Sequence, residues 1–245
     1  MEARRTDYLV IGGGLAGTAV AYHLARDGGA DVLLLERGEI NAAASGNNSG
    51  SIHAQIPVEP FLNQGEGWAR RFAPTLRLMM AGIARWHELP AELDAPELEV
   101  SARGGLMVAR REAEMETLRR KSVIERATGL ETHLLTRDEL HGIAPYLTRD
   151  AVGAAYCPVE GKANPLAAAF AYARAARAAG ARIVTRTEVL GLVSDGEGWL
   201  ARTSAGEVRA RRVVNCAGAA AGTVAAWLGL DLPVEAHPIQ VTVTE

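Results

Sequence analysis

Short apolar runs and a helical pattern follow one another at the start of the chain. Residues 8–11 form an apolar run that is long enough for one buried strand. From Leu15 the apolar residues recur at helical spacing, and Gly28-Gly29 ends that pattern. Residues 32–35 are a second apolar run. The pattern predicts a strand, a helix and a second strand, an order typical of a parallel sheet.

The rest of the chain alternates between both kinds of pattern. In residues 65–89 the large apolar side chains lie mainly three and four positions apart, which predicts one or two amphipathic helices with a Met and Trp stripe in the core. Residues 90–96, bounded by two prolines, are a predicted break. Further elements are a strand at 104–109, a charged helix at 112–129, a helix opened by a capping box at 136–139, an alanine-rich helix at 165–179, strands at 182–185 and 188–190, a strand–turn–strand at 193–210 with Asp195-Gly196 as the turn, and an extended segment from 232 to 245.

Three glycines spaced G-x-G-x-x-G stand between the first strand and the first helix. Gly12 allows a tight turn, Gly14 lets a pyrophosphate approach the backbone, and Gly17 lets the helix pack closely on the strand. The helix N-terminus offers N–H groups and a partial positive charge to phosphates. The pattern predicts a dinucleotide site; the alternative is a glycine-rich turn in an ordinary α/β protein.

An acidic residue ends the second strand. Glu36 lies 24 positions after Gly12, near the offset of about 20 that is typical of a ribose-binding acid. Its carboxylate accepts hydrogen bonds from ribose hydroxyls and repels a 2′-phosphate, which disfavours NADP.

Two further segments have the small side chains expected of chain that lies beside a nucleotide. Residues 41–53 are small, polar and glycine-rich, and we expect them to lie over the cofactor, with a plain surface loop as the alternative. Within them, residues 44–46 can cap a helix start and offer N–H groups to phosphate. Residues 212–218 run from an apolar strand into Asn-Cys-Ala-Gly, where small side chains let the chain pass close to the nucleotide. The second motif favours FAD over NAD.

Composition narrows the class of protein. The chain has 245 residues and a net charge of −3, without a basic stripe, so nothing indicates a nucleic-acid partner. The two cysteines lack metal-ligand spacing, and no metal site is predicted. No segment reaches the 18 or so apolar residues of a membrane helix. We expect a cytoplasmic protein, either free or associated with a membrane through a partner.

The motifs together resemble a known family. A fingerprint near the N-terminus, an acid after the second strand and the run Ala-Ser-Gly-Asn-Asn-Ser-Gly-Ser-Ile-His at 44–53 look like the D-amino-acid oxidase and glycine oxidase superfamily of FAD enzymes. The loop is most similar to the smaller catalytic subunits of opine oxidases and bacterial hydrogen cyanide synthase. The family's glycine and proline positions on the substrate side match Gly153, Pro158, Gly161 and Pro165. The resemblance implies oxidation of a C–N bond through FAD, with hydride transfer to the flavin, and membership of a multi-subunit dehydrogenase.

The resemblance and the motifs together define the candidate site. Val189 is included in the candidate site because, in the resembled family, the residue at this position contacts the adenine through its backbone. The predicted cofactor-binding residues are Gly12, Gly14, Leu15, Ala16, Gly17, Glu36, Arg37, Ala44, Ser45, Gly46, Asn48, Ser49, Gly50, Val189, Cys216, Ala217 and Gly218.

No catalytic residue is assigned, but two histidines are candidates. Some relatives attach FAD covalently to a histidine near the position of His53; the alternative for His53 is a polar residue that lies near the ring or faces solvent. His237 lies either near the substrate or in an ordinary strand. Glu160, Lys162 and Asn164 are further candidates for facing the pocket.

The expected fold is α/β: a doubly wound FAD-binding domain of the glutathione-reductase-like Rossmann type, with an inserted α+β substrate domain. Residues 1–88 and 150–225 are assigned to the FAD-binding domain, and residues 89–149 and 226–245 to an incomplete substrate domain. Family members run on for roughly a further hundred residues, so the C-terminal part is expected to be missing or supplied by another chain. The predicted function is oxidation of an amino acid, imino acid or opine; the alternatives are an FAD-dependent 2-hydroxy-acid dehydrogenase and a non-catalytic or truncated nucleotide-binding subunit.

Overall fold

The computed structural model describes residues 4–194 and 196–237. Within these ranges the strands are β1 (Arg4–Ile11), β2 (Val32–Leu35), β3 (Ser51–Ile52), β4 (Gly105–Ala109), β5 (His133–Thr136), β6 (Gly153–Cys157), β7 (Gly161–Lys162), β8 (Arg182–Val184), β9 (Val189–Ser194), β10 (Trp199–Thr203) and β11 (Gly206–Asn215). The α-helices are α1 (Leu15–Gly28), α2 (Val58–Phe72), α3 (Thr75–Glu92), α4 (Glu112–Ala127), α5 (Arg137–Ile143), α6 (Pro165–Ala178) and α7 (Ala221–Ala226).

The chain divides into two compact units. The first unit contains the described residues up to 49 and from 164 onward, and the second unit is residues 50–163. The boundaries thus fall at 49/50 and 163/164, whereas the sequence-based division changed domain at 88/89, 149/150 and 225/226. Residues 50–88 and 150–163 belong to the second unit because α2, α3 and β6 share buried apolar clusters with α4, β4 and β5.

The first unit is a six-stranded mixed sheet in the order β8-β2-β1-β11-β10-β9. The four strands β8, β2, β1 and β11 are parallel, and β10 and β9 extend them antiparallel. All four residues of β2 are buried, which is typical of a parallel strand covered on both faces. α1 packs against α6 and against β1 and β2. The predicted α/β class is confirmed.

The region 193–210 differs from the prediction of a single hairpin. β10 ends at Thr203, and β11 begins at Gly206, whose positive φ of 109° closes a second tight turn. β11 then continues to Asn215, so the segments predicted as separate strands around 210 and 212 are one strand. Gly196 lies in the expected first turn, and Asp195 is outside the described residues.

The second unit combines helices with a three-stranded antiparallel sheet in the order β4-β6-β5. A short ladder joins β3 to β7. The predicted amphipathic pattern at 65–89 is confirmed as α2 and α3, whose Trp and Met side chains pack on the core that includes Phe61 and Leu76. The break predicted over residues 90–96 is present but starts later than expected, because α3 includes Pro90 and continues to Glu92; the break lies at residues 93–95, before a short 3₁₀ turn at Pro96–Leu98.

Other local expectations agree with the structure. Thr136 and Glu139 form the reciprocal capping box that opens α5. Gly129 follows α4 with a φ of 96°, and Gly29 ends α1 in the left-handed conformation. Among the described residues, no helix is long and apolar enough to cross a bilayer.

Candidate functional site

The glycine turn after β1 is shaped by two close backbone approaches. Gly12 has a φ of 112°, and a Cβ there would lie 2.3 Å from the carbonyl oxygen of Cys216. A Cβ on Gly17 would lie 1.9 Å from the carbonyl oxygen of Gly12. Side chains at either position would displace backbone, so the fold requires glycine at both.

The N-terminus of α1 is not capped by its own N-cap residue. Gly14 is the N-cap and contributes no side-chain hydrogen bond, and the first turn carries no acidic residue. N–H groups in the first turn of a helix have no acceptor within the helix, and they carry its partial positive charge. The backbone N–H of Leu15 donates to Ser45 Oγ at 2.9 Å. This end of α1 therefore has the donors and the sign of charge that a pyrophosphate requires.

Gly14 serves a second purpose in this structure. A Cβ on Gly14 would lie 2.9 Å from Ser45 Oγ. The missing side chain thus leaves room for a hydroxyl group beside the helix N-terminus, in addition to the room expected for a phosphate.

The Glu36 carboxylate accepts hydrogen bonds from two backbone N–H groups, one of them in the glycine turn. Its Oε2 accepts from the N–H of Gly13 at 2.6 Å, and its Oε1 accepts from the N–H of Gly38 at 2.7 Å. A carboxylate has about four acceptor positions, so each oxygen retains one for a ribose hydroxyl. Arg37 is exposed beside it.

Gly13 is a site residue that the sequence analysis missed. A Cβ there would lie 2.8 Å from Glu36 Cβ and 2.7 Å from Ile40 Cδ1. The signal was present as three consecutive glycines, but the spacing rule assigns roles only to the first and third of them.

The loop after β2 folds back on the glycine turn. The N–H of Asn41 donates to the carbonyl of Gly13 at 3.1 Å, and Asn41 Nδ2 donates to the carbonyl of Pro165 at 2.9 Å. Asn41 adopts a φ of 67°, and a Cβ on Gly46 would lie 2.3 Å from the Asn41 carbonyl oxygen. Asn41 is therefore a second residue that sequence reasoning missed, because its role depends on α6.

Several predicted residues of this loop have internal partners. Asn48 Nδ2 donates to the carbonyls of Ala44 and Ser45 at 3.0 and 2.8 Å, so its side chain stabilises the loop itself. Ala44 and Ser49 are exposed, while Ser45 and Gly46 are partly buried. The loop thus presents Ser45 to α1, while the Asn48 side chain bonds the loop itself.

The second motif meets the first at Gly12. The N–H of Cys216 donates to the carbonyl of Ile11 at 2.9 Å, which sets the Cys216 carbonyl against the glycine. Ala217 follows, and Gly218 has a φ of 55° at the start of a 3₁₀ turn that leads into α7. Burial raises the pKa of the Cys216 thiol.

The segment before Val189 runs beside Glu36. The N–H of Thr187 donates to the carbonyl of Glu36 at 2.9 Å, and the N–H of Arg186 donates to the carbonyl of Gly38 at 2.9 Å. Val189 begins β9 two residues later and is buried. The structure therefore brings residues 186 and 187 beside Glu36, while Val189 itself pairs with Thr203 of β10.

Four candidates lie away from this cluster or have another partner. Gly50 belongs to the second unit, where its carbonyl accepts from Ala163. Asn164 Oδ1 accepts from the N–H of Leu166 and caps α6. Lys162 is exposed in β7, and His237 is exposed and outside any regular element, so it is not a strand histidine.

His53 lies in the second unit with its side chain 64% exposed. Its Nδ1 is 3.9 Å from Oε2 of Glu160, which is a contact of ion-pair range only when the imidazole is protonated. Glu160 is 2% exposed, so it faces the interior of the unit.

Comparison with known proteins agrees with this geometry. Residues 7–245 match the family model described as FAD dependent oxidoreductase. The chain is 28% identical to the beta subunit of sarcosine oxidase from an Arthrobacter species, with 98% of this chain and 57% of that protein covered. It is 30% identical to one subunit of the opine oxidase of Rhizobium meliloti, with 98% and 63% covered.

A solved structure extends the match to the fold. The chain is 31% identical to glycine oxidase of Geobacillus kaustophilus over 96% of its own length and 60% of the relative. The crystal structure of that enzyme superposes with a TM-score of 0.77 at 30% identity, covering 94% of this chain and 60% of the other. The predicted resemblance is confirmed, and the chain spans about three fifths of the length of these relatives.

Proposed function

The chain belongs to the family of FAD dependent oxidoreductases, and from this premise we propose that the protein oxidises the C–N bond of an amino acid, imino acid or opine. FAD is the cofactor of the family, as the two nucleotide motifs predicted. The relatives named glycine oxidase, sarcosine oxidase and opine oxidase support an amine substrate. The identity of that amine is part of the proposal.

One observation carries the proposal: the two nucleotide motifs meet at a single turn. Gly12 tolerates no side chain because the Cys216 carbonyl lies against it, and Glu36 bonds the N–H of the next residue along the turn. A helix N-terminus without a cap from its own N-cap residue and a candidate ribose-binding acid thus lie together at the ends of β1, β2 and β11. Such a position at the carboxyl ends of parallel strands suits a dinucleotide.

The residues present fit FAD. We propose that the first unit binds it, with the N-terminus of α1 and Ser45 at the pyrophosphate and Glu36 at the adenosine ribose. The first-unit residues assigned to the cofactor are those predicted from the sequence, Gly12, Gly14, Leu15, Ala16, Gly17, Glu36, Arg37, Ala44, Ser45, Gly46, Asn48, Ser49, Val189, Cys216, Ala217 and Gly218, together with Gly13, which shapes the turn. Gly50, which was also predicted, belongs to the second unit and is not assigned to the cofactor.

The protein's part in the reaction is to bind and orient. Bound FAD supplies the acceptor for the hydride that leaves the substrate Cα. The site therefore needs accurate placement of the amine more than a strong acid or base. The two histidines that the sequence offers as catalytic candidates, His53 and His237, stay part of this proposal.

Partners and compartment are further parts of the proposal. Two of the relatives, the sarcosine oxidase and opine oxidase chains, are named as single subunits of their enzymes. We propose a hetero-oligomer with other dehydrogenase subunits. The two free cysteines suit the cytoplasm, with any membrane association made through a partner.

The visible absorption spectrum of the purified protein tests the cofactor first. Two flavin bands are expected from the wild type, and Glu36→Gln is expected to weaken FAD binding by at least about tenfold, because hydrogen bonds to a charged group contribute about 1.5–3 kcal/mol. The amide also turns an NH₂ group toward one of the two backbone N–H donors. The matched control is Glu39→Gln, an exposed residue whose carboxylate pairs with Arg186 at 2.6 Å. Equal loss of FAD from both variants would contradict the assignment of Glu36.

Anaerobic reduction then tests the substrate. Bleaching of the flavin by amino acids, N-methylated amino acids or opines is expected, and 2-hydroxy acids serve as the comparison. Bleaching by hydroxy acids alone would replace the proposal with a 2-hydroxy-acid dehydrogenase. A colourless protein that takes up no added FAD would remove it altogether.

A further inference from the structure

Asn41 joins the loop after β2 to the glycine turn and to α6, all within the first unit. The backbone N–H of Asn41 donates to the carbonyl of Gly13 at 3.1 Å. Its side-chain Nδ2 donates to the carbonyls of Pro165 and Leu166, at 2.9 and 3.4 Å. Two carbonyl acceptors require the NH₂ group on that side, so the neighbours determine the orientation of the amide.

The contact with Gly13 leads to the ribose side of the candidate site. The N–H of Gly13 donates to Glu36 Oε2 at 2.6 Å, while its carbonyl accepts from Asn41. A Cβ on Gly13 would lie 2.7 Å from Cδ1 of Ile40, the buried residue that precedes Asn41. Gly13 is thus enclosed between Glu36 and the loop, and a shift of Asn41 would move the residue that Glu36 bonds.

A second contact of Asn41 leads to the pyrophosphate side. A Cβ on Gly46 would lie 2.3 Å from the carbonyl oxygen of Asn41 and 3.0 Å from its Nδ2. Gly46 therefore packs directly on both the backbone and the side chain of Asn41. Ser45, the preceding residue, accepts from the N–H of Leu15 at the start of α1. The position of the Ser45 hydroxyl consequently depends on Asn41.

The support on the other side of Asn41 is a helix held in place by its own contacts. Asn164 Oδ1 accepts from the N–H of Leu166 at 3.0 Å and caps α6. α6 packs along α1, and the rings of Tyr22 and Tyr172 lie 5.8 Å apart between them. The loop, α6 and α1 thus form a closed set of contacts that includes the N-terminus of α1.

Two features of Asn41 are unfavourable for stability. Its φ of 67° is a left-handed conformation that few residues other than glycine adopt, although asparagine tolerates it better than most. Asn41 is 7% exposed, and its Oδ1 is buried without a hydrogen-bond partner in the described part of the chain. A buried acceptor without a partner is destabilising, and backbone strain is concentrated at functional sites. Both features occur at the residue that lies between the two halves of the candidate site, which indicates a use beyond stability.

We propose that Asn41 is a positioning residue for the nucleotide, which fixes the Glu36 carboxylate and the Ser45 hydroxyl relative to each other by tying the loop to α6. This inference rests on the proposed FAD site of the first unit. Asn41 itself is assigned no contact with the cofactor. The adenosine ribose and the pyrophosphate are joined covalently, so a protein that holds their partners at a fixed separation binds both with a smaller loss of entropy.

The affinity of the FAD-free protein for FAD tests the proposal. Asn41→Gly keeps the backbone N–H and suits the left-handed φ, but it removes the bonds to α6. FAD affinity is expected to fall by about tenfold, since one hydrogen bond contributes about three- to tenfold. Asn41→Asp places an oxygen where the NH₂ group was, should lose at least as much affinity, and takes the place of Asn41→Gly if that variant does not fold.

The matched control is Asn47→Gly, the same substitution in the same loop. Asn47 is exposed, and its Nδ2 donates only to the carbonyls of Ala42 and Ala43 within the loop. Its FAD affinity should stay within about twofold of the wild type, because the tie to α6 is intact. A loss equal to that of Asn41→Gly would mean that any glycine in the loop has this effect, and would overturn the proposal.

Double variants separate positioning from a general loss of stability. Ser45→Ala and Glu36→Gln each remove one of the two groups that Asn41 is proposed to align. In either background, Asn41→Gly should therefore reduce FAD affinity by only about threefold, because interacting residues are not additive. A full tenfold loss in both backgrounds would show an independent effect, and unchanged affinity in both Asn41→Gly and Asn41→Asp would show none; either result would overturn the proposal.

Hydrogen exchange without FAD tests the tie itself. In Asn41→Gly the protection of the N–H of residue 41 is expected to fall by about tenfold, because the loop is no longer anchored to α6. Unchanged protection would overturn the tie whatever the cofactor does. If the wild type takes up no FAD, the proposed function fails and the positioning role with it. If it takes up FAD but Glu36→Gln and Ser45→Ala bind FAD like the wild type, only the assignment of these two groups, and the role that Asn41 has through them, is wrong.

Discussion

Gly17→Ala is the sharpest test of the glycine turn. The new Cβ would lie 1.9 Å from the carbonyl oxygen of Gly12 and 3.4 Å from Cys216 Cβ. The first distance is about 1.5 Å short of ordinary contact, which begins at 3.4 Å. The obstacle is backbone, which cannot rotate away as a flexible side chain would. α1 must therefore move off β1, or the turn at Gly12 must deform.

The magnitude follows from two opposing effects. Overpacking typically costs about 1–3 kcal/mol, and the rigid obstacle at Gly17 indicates the upper end of that range. Replacing glycine by alanine within a helix returns up to about 1 kcal/mol. The net loss is about 2 kcal/mol, which for a chain of this size lowers the Tm by about 4–8 °C.

The assay compares Gly17→Ala with Gly28→Ala in the same helix. A Cβ on Gly28 meets nothing within 4 Å, so that variant should be as stable as the wild type or more so, by up to about 1 kcal/mol. Thermal unfolding followed by circular dichroism, with and without FAD, measures both. The displaced helix N-terminus should also reduce the stabilisation that added FAD confers on Gly17→Ala.

The reasoning fails if Gly17→Ala melts at or above the temperature of the wild type while Gly28→Ala behaves as expected. That result would mean that α1 and β1 can separate without cost, and that the close approach is not what requires glycine. A fall in Tm of both variants by the same amount would instead point to a general sensitivity of α1.

Three further predictions concern the core, a thiol and the loop. Lys121→Met leaves the buried carboxylates of Glu125 and Glu160 without their cation. The free energy of unfolding in urea should fall by about 3–5 kcal/mol. A loss below about 1 kcal/mol, no larger than that of the exposed control Glu116→Gln, would contradict the need for a counter-ion. Burial raises the pKa of the Cys157 thiol to about 11. At about pH 8, below the ordinary thiol pKa, a thiol reagent should therefore leave Cys157 unmodified in the folded protein and label it in denaturant. Rapid labelling of the folded protein would refute the burial of Cys157. Asn41→Ala should be less stable than Asn41→Gly by about 1 kcal/mol, because both lose the bond to α6 and only alanine is strained at a φ of 67°; equal Tm values would contradict the strain.

Local signals in the sequence determined the first part of the fold and much of the site. The apolar runs around 8–11 and 32–35, with the helical spacing between them, predicted β1, α1 and β2, because strand and helix periods are properties of neighbouring residues. The positions of Gly12, Gly17 and Glu36 followed from spacing for the same reason. The capping box of α5 and the glycine ends of α1 and α4 are equally local.

Tertiary structure alone decided which distant segments meet. Nothing near Cys216 indicates that its carbonyl will lie against Gly12, and the capping potential of residues 44–46 does not indicate that the Ser45 hydroxyl will bond α1. Those contacts arise because β11 pairs in parallel with β1 and because the loop after β2 folds back over the turn.

The buried pair of Lys121 and Glu125 shows the same limit most clearly. Lys121 and Glu125 are four residues apart in a charged helix, a pattern that usually indicates a solvated face. Their complete burial depends on Glu160 and Gln55, which approach from other parts of the chain. Burial and pairing of charges are properties of the packed core, so a periodic pattern in one segment cannot determine them.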